Sequence, residues 1–262
     1  SGTPPTGPAH VTDIRTINDA VIYILSGGQH TGSGKSRFTY GLLQQLAADR
    51  DALITGCDPS SVLLRPFLGS RHAPWQTLGS DPGEHATLLD RLVREMDTRL
   101  GAIPDRCDVL PLTDRHPMMF VVLEEWLAVL GLAGADKKLR DRLAAAVRRL
   151  ATESGKVNMR LIMLVQRAEA NEMGGGLLRS QFAWRITLPV DNVESIRLLH
   201  PTVPLPLADA HVTHAQPGTA IYHAPGQDLG RLRTPWMGDY TQYWDSIKAL
   251  TATPRADLKV AR

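Results

Sequence analysis

Residues 20–36 read AVIYILSGGQHTGSGKS. The first six are apolar and largely β-branched or aromatic, and Gly27 and Gly28 bound them, so residues 20–25 predict a short strand buried on both faces. Thr31-Gly32-Ser33-Gly34-Lys35-Ser36 then opens a stretch in which Leu42, Leu43 and Leu46 share one helical face. A strand, a glycine-rich bend and a helix in that order form a cradle for phosphate. Gly32 and Gly34 let successive backbone N–H groups turn inward, Lys35 carries a cation to the β- and γ-phosphates, and the Ser36 hydroxyl ligates Mg²⁺ at the helix start. Thr31, Gly32, Ser33, Gly34, Lys35, Ser36 and Arg37 are therefore the nucleotide-binding candidates, with ATP and Mg²⁺ as the expected ligands. The loop entrance departs from the usual spacing: the first glycine of G-x-x-x-x-G-K-S falls on Gln29, and Gly28 stands one place early. A residue there shapes the turn out of the strand, so the departure bears on affinity more than on ligand identity.

Working outward, apolar runs alternate with amphipathic stretches. Residues 53–55 predict a second strand running to Cys57, Asp58 and Pro59, followed by a loop holding Pro66, Pro74 and Pro82 with no clear period. Leu88, Leu89, Leu92, Val93 and Met96 give residues 84–100 a helical stripe, with Asp81 placed as a cap. Residues 119–123 are uninterruptedly apolar and end in Glu124 and Glu125. Leu139, Leu143, Ala146, Val147 and Leu150 predict another helix closed by Gly155, and residues 161–165 a strand ending in Gln166. Gly174, Gly175 and Gly176 suggest a mobile connection to later strands at 184–188 and 219–222, with a short helix around Val193–Leu199 between them. This alternation predicts an α/β fold, a mostly parallel sheet with helices on both faces. Residues 1–9 read as a disordered start or tag remnant, 10–243 as one domain, and 244–262 as a C-terminal helix or tail.

Composition sets limits on function. The 262 residues carry a formal net charge of +2, which argues against a polyanion-coating protein, and 5% aromatic content argues against a stacking platform for single strands. Cys57 and Cys107 have no metal-spaced neighbours and are expected to be buried thiols in a reducing compartment. No run of about 18 apolar residues is present, so a membrane span is not expected and a cytoplasmic location is.

Within that frame, an apolar strand ending in two acids supplies what a phosphate-loop hydrolase needs. Glu124 stands where an Asp usually organises Mg²⁺, and Glu125 is placed to activate water as the general base. Gln166, at the end of a parallel strand, is placed to touch the γ-phosphate. Arg179 and Arg185 are candidates to reach into a neighbouring subunit as trans-acting cations. Arg140, Arg142, Arg148 and Arg149 alternate with acids and predict a solvated helix face. His200, His211, His214 and His223 match no metal-ligand spacing.

Together these residues resemble the motor domain of the FtsK/SpoIIIE-type ATPases, especially versions from actinobacterial conjugative elements. The likeness runs through Thr31–Ser36 as a loop, Asp58-Pro59, Arg94-Glu95-Met96-Asp97-Thr98-Arg99, Val165-Gln166-Arg167, Arg185-Ile186 and Glu194-Ser195 onward. The resemblance implies a RecA-like P-loop NTPase fold, a homo-oligomer that is a hexameric ring with ATP at subunit boundaries, and translocation of double-stranded DNA. It also implies a membrane-anchored partner at the inner face of the cell membrane. The sequence keeps two alternatives open, a protein-export motor of the type VII secretion kind and a degenerate nucleotide-binding assembly protein.

Overall fold

A computed structural model of the chain describes residues 23–26, 33–166, 181–234 and 238–252, the first four as backbone alone. Among the described residues eight strands form one sheet: β1 (Tyr23–Ser26), β2 (Ala52–Asp58), β3 (Gln76–Leu78), β4 (Met118–Leu123), β5 (Met159–Val165), β6 (Trp184–Thr187), β7 (Thr219–His223) and β8 (Gly230–Arg233). Their order across the sheet is β3-β2-β4-β5-β1-β6-β7-β8. The first six of that series are mutually parallel, and β7 and β8 extend the edge antiparallel.

The helices among the described residues are α1 (Lys35–Ala48), α2 (Pro82–Leu100), α3 (Trp126–Leu132), α4 (Lys137–Glu153), α5 (Val193–Leu199), α6 (Leu205–His214) and α7 (Tyr240–Thr251). They divide between the sheet's faces, which explains why the central strands are continuously apolar. Met119, Val121 and Leu123 of β4 face a cluster built on α2, α3 and α4, while Met118, Phe120 and Val122 face one built on α1 and α7. The same alternation in β5 divides Leu161 and Met163 from Ile162 and Leu164.

Local chemistry fixes the boundaries. Asp81 caps α2, its side chain accepting from the Gly83 N–H at 2.8 Å, and Pro82 fills the first helical position where no donor is needed. Arg99, 1% exposed at the other end of α2, donates to Glu95 at 2.7 Å and to the carbonyls of Pro117 and Val157 at 2.8 and 3.1 Å, locking α2 to the base of the sheet. The proline-bearing stretch read as an aperiodic loop holds two 3₁₀ turns, Arg65–Phe67 and Ala73–Trp75, and the edge strand β3. Elements this short leave no periodicity to detect.

The expected domain boundary at 243/244 falls inside α7, because Tyr243 and Ile247 lie one turn apart on the same buried face. Cys57 is buried, with its thiol pushed up to about 12 by burial, whereas Cys107 is exposed, correcting the expectation that both are core thiols. Among the described residues, no helix is long and apolar enough to cross a membrane.

Candidate active site

In a parallel sheet the carboxyl ends of the strands share one edge, and three distant segments meet there. Lys35 opens α1, Glu125 follows β4 and Gln166 follows β5. The Lys35 ammonium donates to Glu125 Oε1, and Gln166 Nε2 donates to the same oxygen at 3.0 Å. Glu125 reaches this position in a left-handed conformation, φ 45° and ψ 53°, as the N-cap of α3. A non-glycine residue pays about 1–2 kcal/mol for that backbone. The strain sits at the residue whose carboxylate gathers the other two, as expected where function fixes a side chain's direction.

Glu124 is held differently. Its backbone N–H donates to the Cys57 carbonyl at 2.9 Å, and its side chain enters a cavity of about 50 Å³ lined by Lys35, Ser36, Thr39, Ser60 and Leu164 among others. Oε2 is buried without a hydrogen-bond partner among the described residues. Burial first, then the charges of Glu125 and Asp58, push this carboxyl up to about 8, against the opposing pull of Lys35 and the Ser60 hydroxyl. A buried carboxylate oxygen without a partner is unfavourable, and a hard divalent cation that takes oxygen ligands would satisfy it. Ser36 and Glu124 are thus a fitting pair for Mg²⁺.

The described part of the glycine loop is braced from outside. Gly34 has φ 98°, and a Cβ there would lie 2.6 Å from the Gly218 nitrogen. The Gly218 N–H itself donates to the Ser33 carbonyl at 3.1 Å, and the Thr234 N–H donates to the Gly218 carbonyl at 2.8 Å. The turn before β7 therefore fixes the loop's last bend. Arg37, expected at the nucleotide, donates from Nη1 to the Gly238 carbonyl. Asp58 closes the neighbouring turn, accepting from Ser60 Oγ and from the Leu64 N–H, both at 2.7 Å.

Thr31, Gly32, Gln29, Arg167, Arg179 and the Gly174–Gly176 turn lie outside the described residues. Arg185, a candidate to reach into a neighbouring subunit, donates within its own chain from Nε to the Phe182 carbonyl and from Nη1 to the Leu199 carbonyl, each at 2.9 Å. Those bonds make it a brace between β6 and α5 of its own chain. Arg142 pairs with Asp90 and Arg149 with Asp97 across α2 and α4, and Arg149 pairs also with Glu153 within α4, consistent with a solvated face. Arg231 and Arg233 are exposed on β8. His200 and His211 are buried, and among the described residues no group of three or more His, Cys, Asp or Glu side chains is arranged to hold a metal. Ser60 and Gly218 were not singled out from the sequence. Ser60 follows Asp58-Pro59 directly, which is a local signal, but only the fold brings Gly218 to the loop.

No family model matches the chain, and no curated protein sequence does. Solved structures do match. The pCW3 conjugation coupling protein TcpA, determined as a monomer with ATPγS, superposes with a TM-score of 0.68 at 21% identity, over 89% of this chain and 65% of that one. The chain has the fold of the P-loop ATPases. The cytoplasmic domain of the type VII secretion ATPase EccC of Thermomonospora curvata gives 0.62 at 19% identity, over 88% of this chain and 28% of its own. The DNA-packaging ATPase B204 of Sulfolobus turreted icosahedral virus gives 0.53 at 13%, over 84% of this chain and 99% of its own. The chain thus spans under two thirds of TcpA and under a third of EccC. The RecA-like architecture that the family resemblance implies is what these superpositions share.

Proposed function

We propose that the chain is the motor domain of an ATP-driven translocase that hydrolyses Mg²⁺-bound ATP to move double-stranded DNA. The observation that carries this reading is the convergence of Lys35 and Gln166 on one carboxylate oxygen of Glu125, beside Glu124, whose Oε2 has no hydrogen-bond partner among the described residues. Lys35 leaves Glu125 for the phosphate oxygens when nucleotide enters, since both compete for the same ammonium. Freed of that pair, the Glu125 carboxylate accepts the proton of an attacking water. Gln166, still donating to the same Glu125 oxygen, stands where it can contact the γ-phosphate and report its loss to the segment after β5. Ser36 and Glu124 would hold Mg²⁺, which when bound neutralises charge developing on the phosphate oxygens.

Similarity to a conjugation coupling protein and to a viral DNA-packaging ATPase supports DNA as the polymer. Similarity to EccC keeps a peptide substrate as the rival reading. A hexameric ring, a membrane-anchored partner and activity in the cytoplasm belong to the same proposal. Steady-state ATP hydrolysis measured with and without long duplex DNA, at low salt and over a series of protein concentrations, tests it. Duplex stimulation that grows with protein concentration and fades with salt is expected, because shared sites need assembly and phosphate contacts release counterions. Hydrolysis indifferent to DNA at every concentration overturns the DNA assignment.

A further inference from the structure

The nucleotide cavity has two walls, and a single C-terminal helix is fastened to both. One wall is α1, contributing Lys35, Ser36, Thr39 and Tyr40; the other is the turn after β2, contributing Ser60, Val62 and Leu63. On the α1 side, the Tyr243 ring stacks on Tyr40 with centroids 4.3 Å apart and planes 11° from parallel. On the other, the Tyr243 hydroxyl donates to the Leu63 carbonyl at 2.7 Å. Tyr240 repeats the second contact one turn earlier, donating to the Val62 carbonyl at 3.0 Å. Farther from the cavity, Lys248 Nζ donates to the Leu68 carbonyl at 2.7 Å.

We propose that Tyr243 is a positioning residue of the nucleotide site, fixing the span between the Ser36 wall and the Ser60 wall and so the fit of the Mg²⁺-bound triphosphate beside Glu124. This inference rests on the nucleotide reading given above. The stack and the burial need only an aromatic ring, and phenylalanine would supply both; a fully buried hydroxyl is retained at a desolvation penalty that its bond to Leu63 offsets. The turn does not need that bond to close, because Asp58 already ties Ser60 and Leu64 from within. What the hydroxyl adds is the link between walls. Ser60 lies three residues from Leu63 on the tethered turn and bears on Glu124, so a shift of the turn is felt at the carboxylate.

The test is equilibrium binding of a fluorescent, non-hydrolysable ATP analogue with Mg²⁺ and with EDTA, for wild type, Tyr243→Phe, Tyr240→Phe and Lys248→Gln, alongside thermal midpoints. Tyr243→Phe is expected to weaken binding about fivefold in Mg²⁺, the worth of one hydrogen bond, and to leave binding in EDTA unchanged. Tyr240→Phe shifts in the same direction by less, and carries the test should Tyr243→Phe fail to fold. Lys248→Gln, which removes a tether of the same helix away from the cavity, matches wild type. Equal shifts in Tyr243→Phe and Lys248→Gln, or no Mg²⁺-dependent shift in either tyrosine variant, overturn the inference while the nucleotide reading stands. A wild-type chain that binds no analogue overturns both.

Discussion

Glu124 gives the sharpest quantitative handle on the site. Its carboxyl is ordinarily half-ionised at 4.5 and is pushed up to about 8 in the folded chain, so the native state holds this proton more tightly than the unfolded chain does. Stability attributable to the group is therefore full below pH 4.5, declines as pH rises, and levels off once the folded carboxyl has ionised. Integrating that difference gives a loss of about 3 kcal/mol between pH 5 and pH 8 in protein free of metal and nucleotide. Glu124→Gln mimics the neutral acid at every pH and removes the slope. His72 and His200, lowered to about 4 and about 3 by burial, bias the opposite way, their stabilisation fading as pH falls below about 6.5. They are common to both proteins and cancel in the difference. The assay is urea denaturation in EDTA at half-unit pH intervals, read as wild type minus variant. Wild type should fall progressively behind Glu124→Gln by about 3 kcal/mol on going from pH 5 to pH 8. Two parallel curves would mean that the carboxyl is solvated or paired and that the metal assignment has lost its physical basis.

Other expectations follow from single contacts. Gly34→Ala forces a Cβ into the Gly218 backbone at φ 98°, and should lower stability by about 2–4 kcal/mol in denaturant titration and abolish ATP-analogue binding. Arg99→Met leaves the carbonyls of Pro117 and Val157 without their donor; a loss of about 2–4 kcal/mol with analogue affinity unchanged separates this anchor from the site. Arg185→Ala should lower the thermal midpoint of the isolated subunit by several degrees, because its guanidinium ties β6 to α5; an unchanged midpoint with lost turnover in the assembled protein would return it to a role between subunits.

How much of this was legible beforehand follows the length over which each signal is written. The strands carrying Glu124 and Gln166 are buried on both faces, so β4 throughout and β5 from Leu161 to Val165 are apolar, and the acids and amide that end them stand out. The stripe on α2 and its Asp81 cap are equally local. By contrast β3 has three residues and β8 four, with Arg231 and Arg233 exposed, so neither offers an apolar run. The antiparallel turn of the sheet at β7 is set by pairing with β6, a long-range fact that no window of sequence contains. Arg185 illustrates the same limit: its motif is local, but the carbonyls that claim its guanidinium come from Phe182 and Leu199. The brace of Gly218 on Ser33 joins positions 185 residues apart and likewise exists only in the folded chain.

In the proposed function Lys35, Glu124, Glu125 and Gln166 act as one site for Mg²⁺-dependent ATP hydrolysis. It is tested most directly by measuring ATP binding and turnover side by side in wild type, Lys35→Ala and Glu125→Gln. Mg²⁺-dependent turnover is expected in wild type, neither binding nor turnover in Lys35→Ala, and retained binding with turnover at least about 100-fold slower in Glu125→Gln, the lower range for loss of a general base. The same turnover in all three proteins would contradict it.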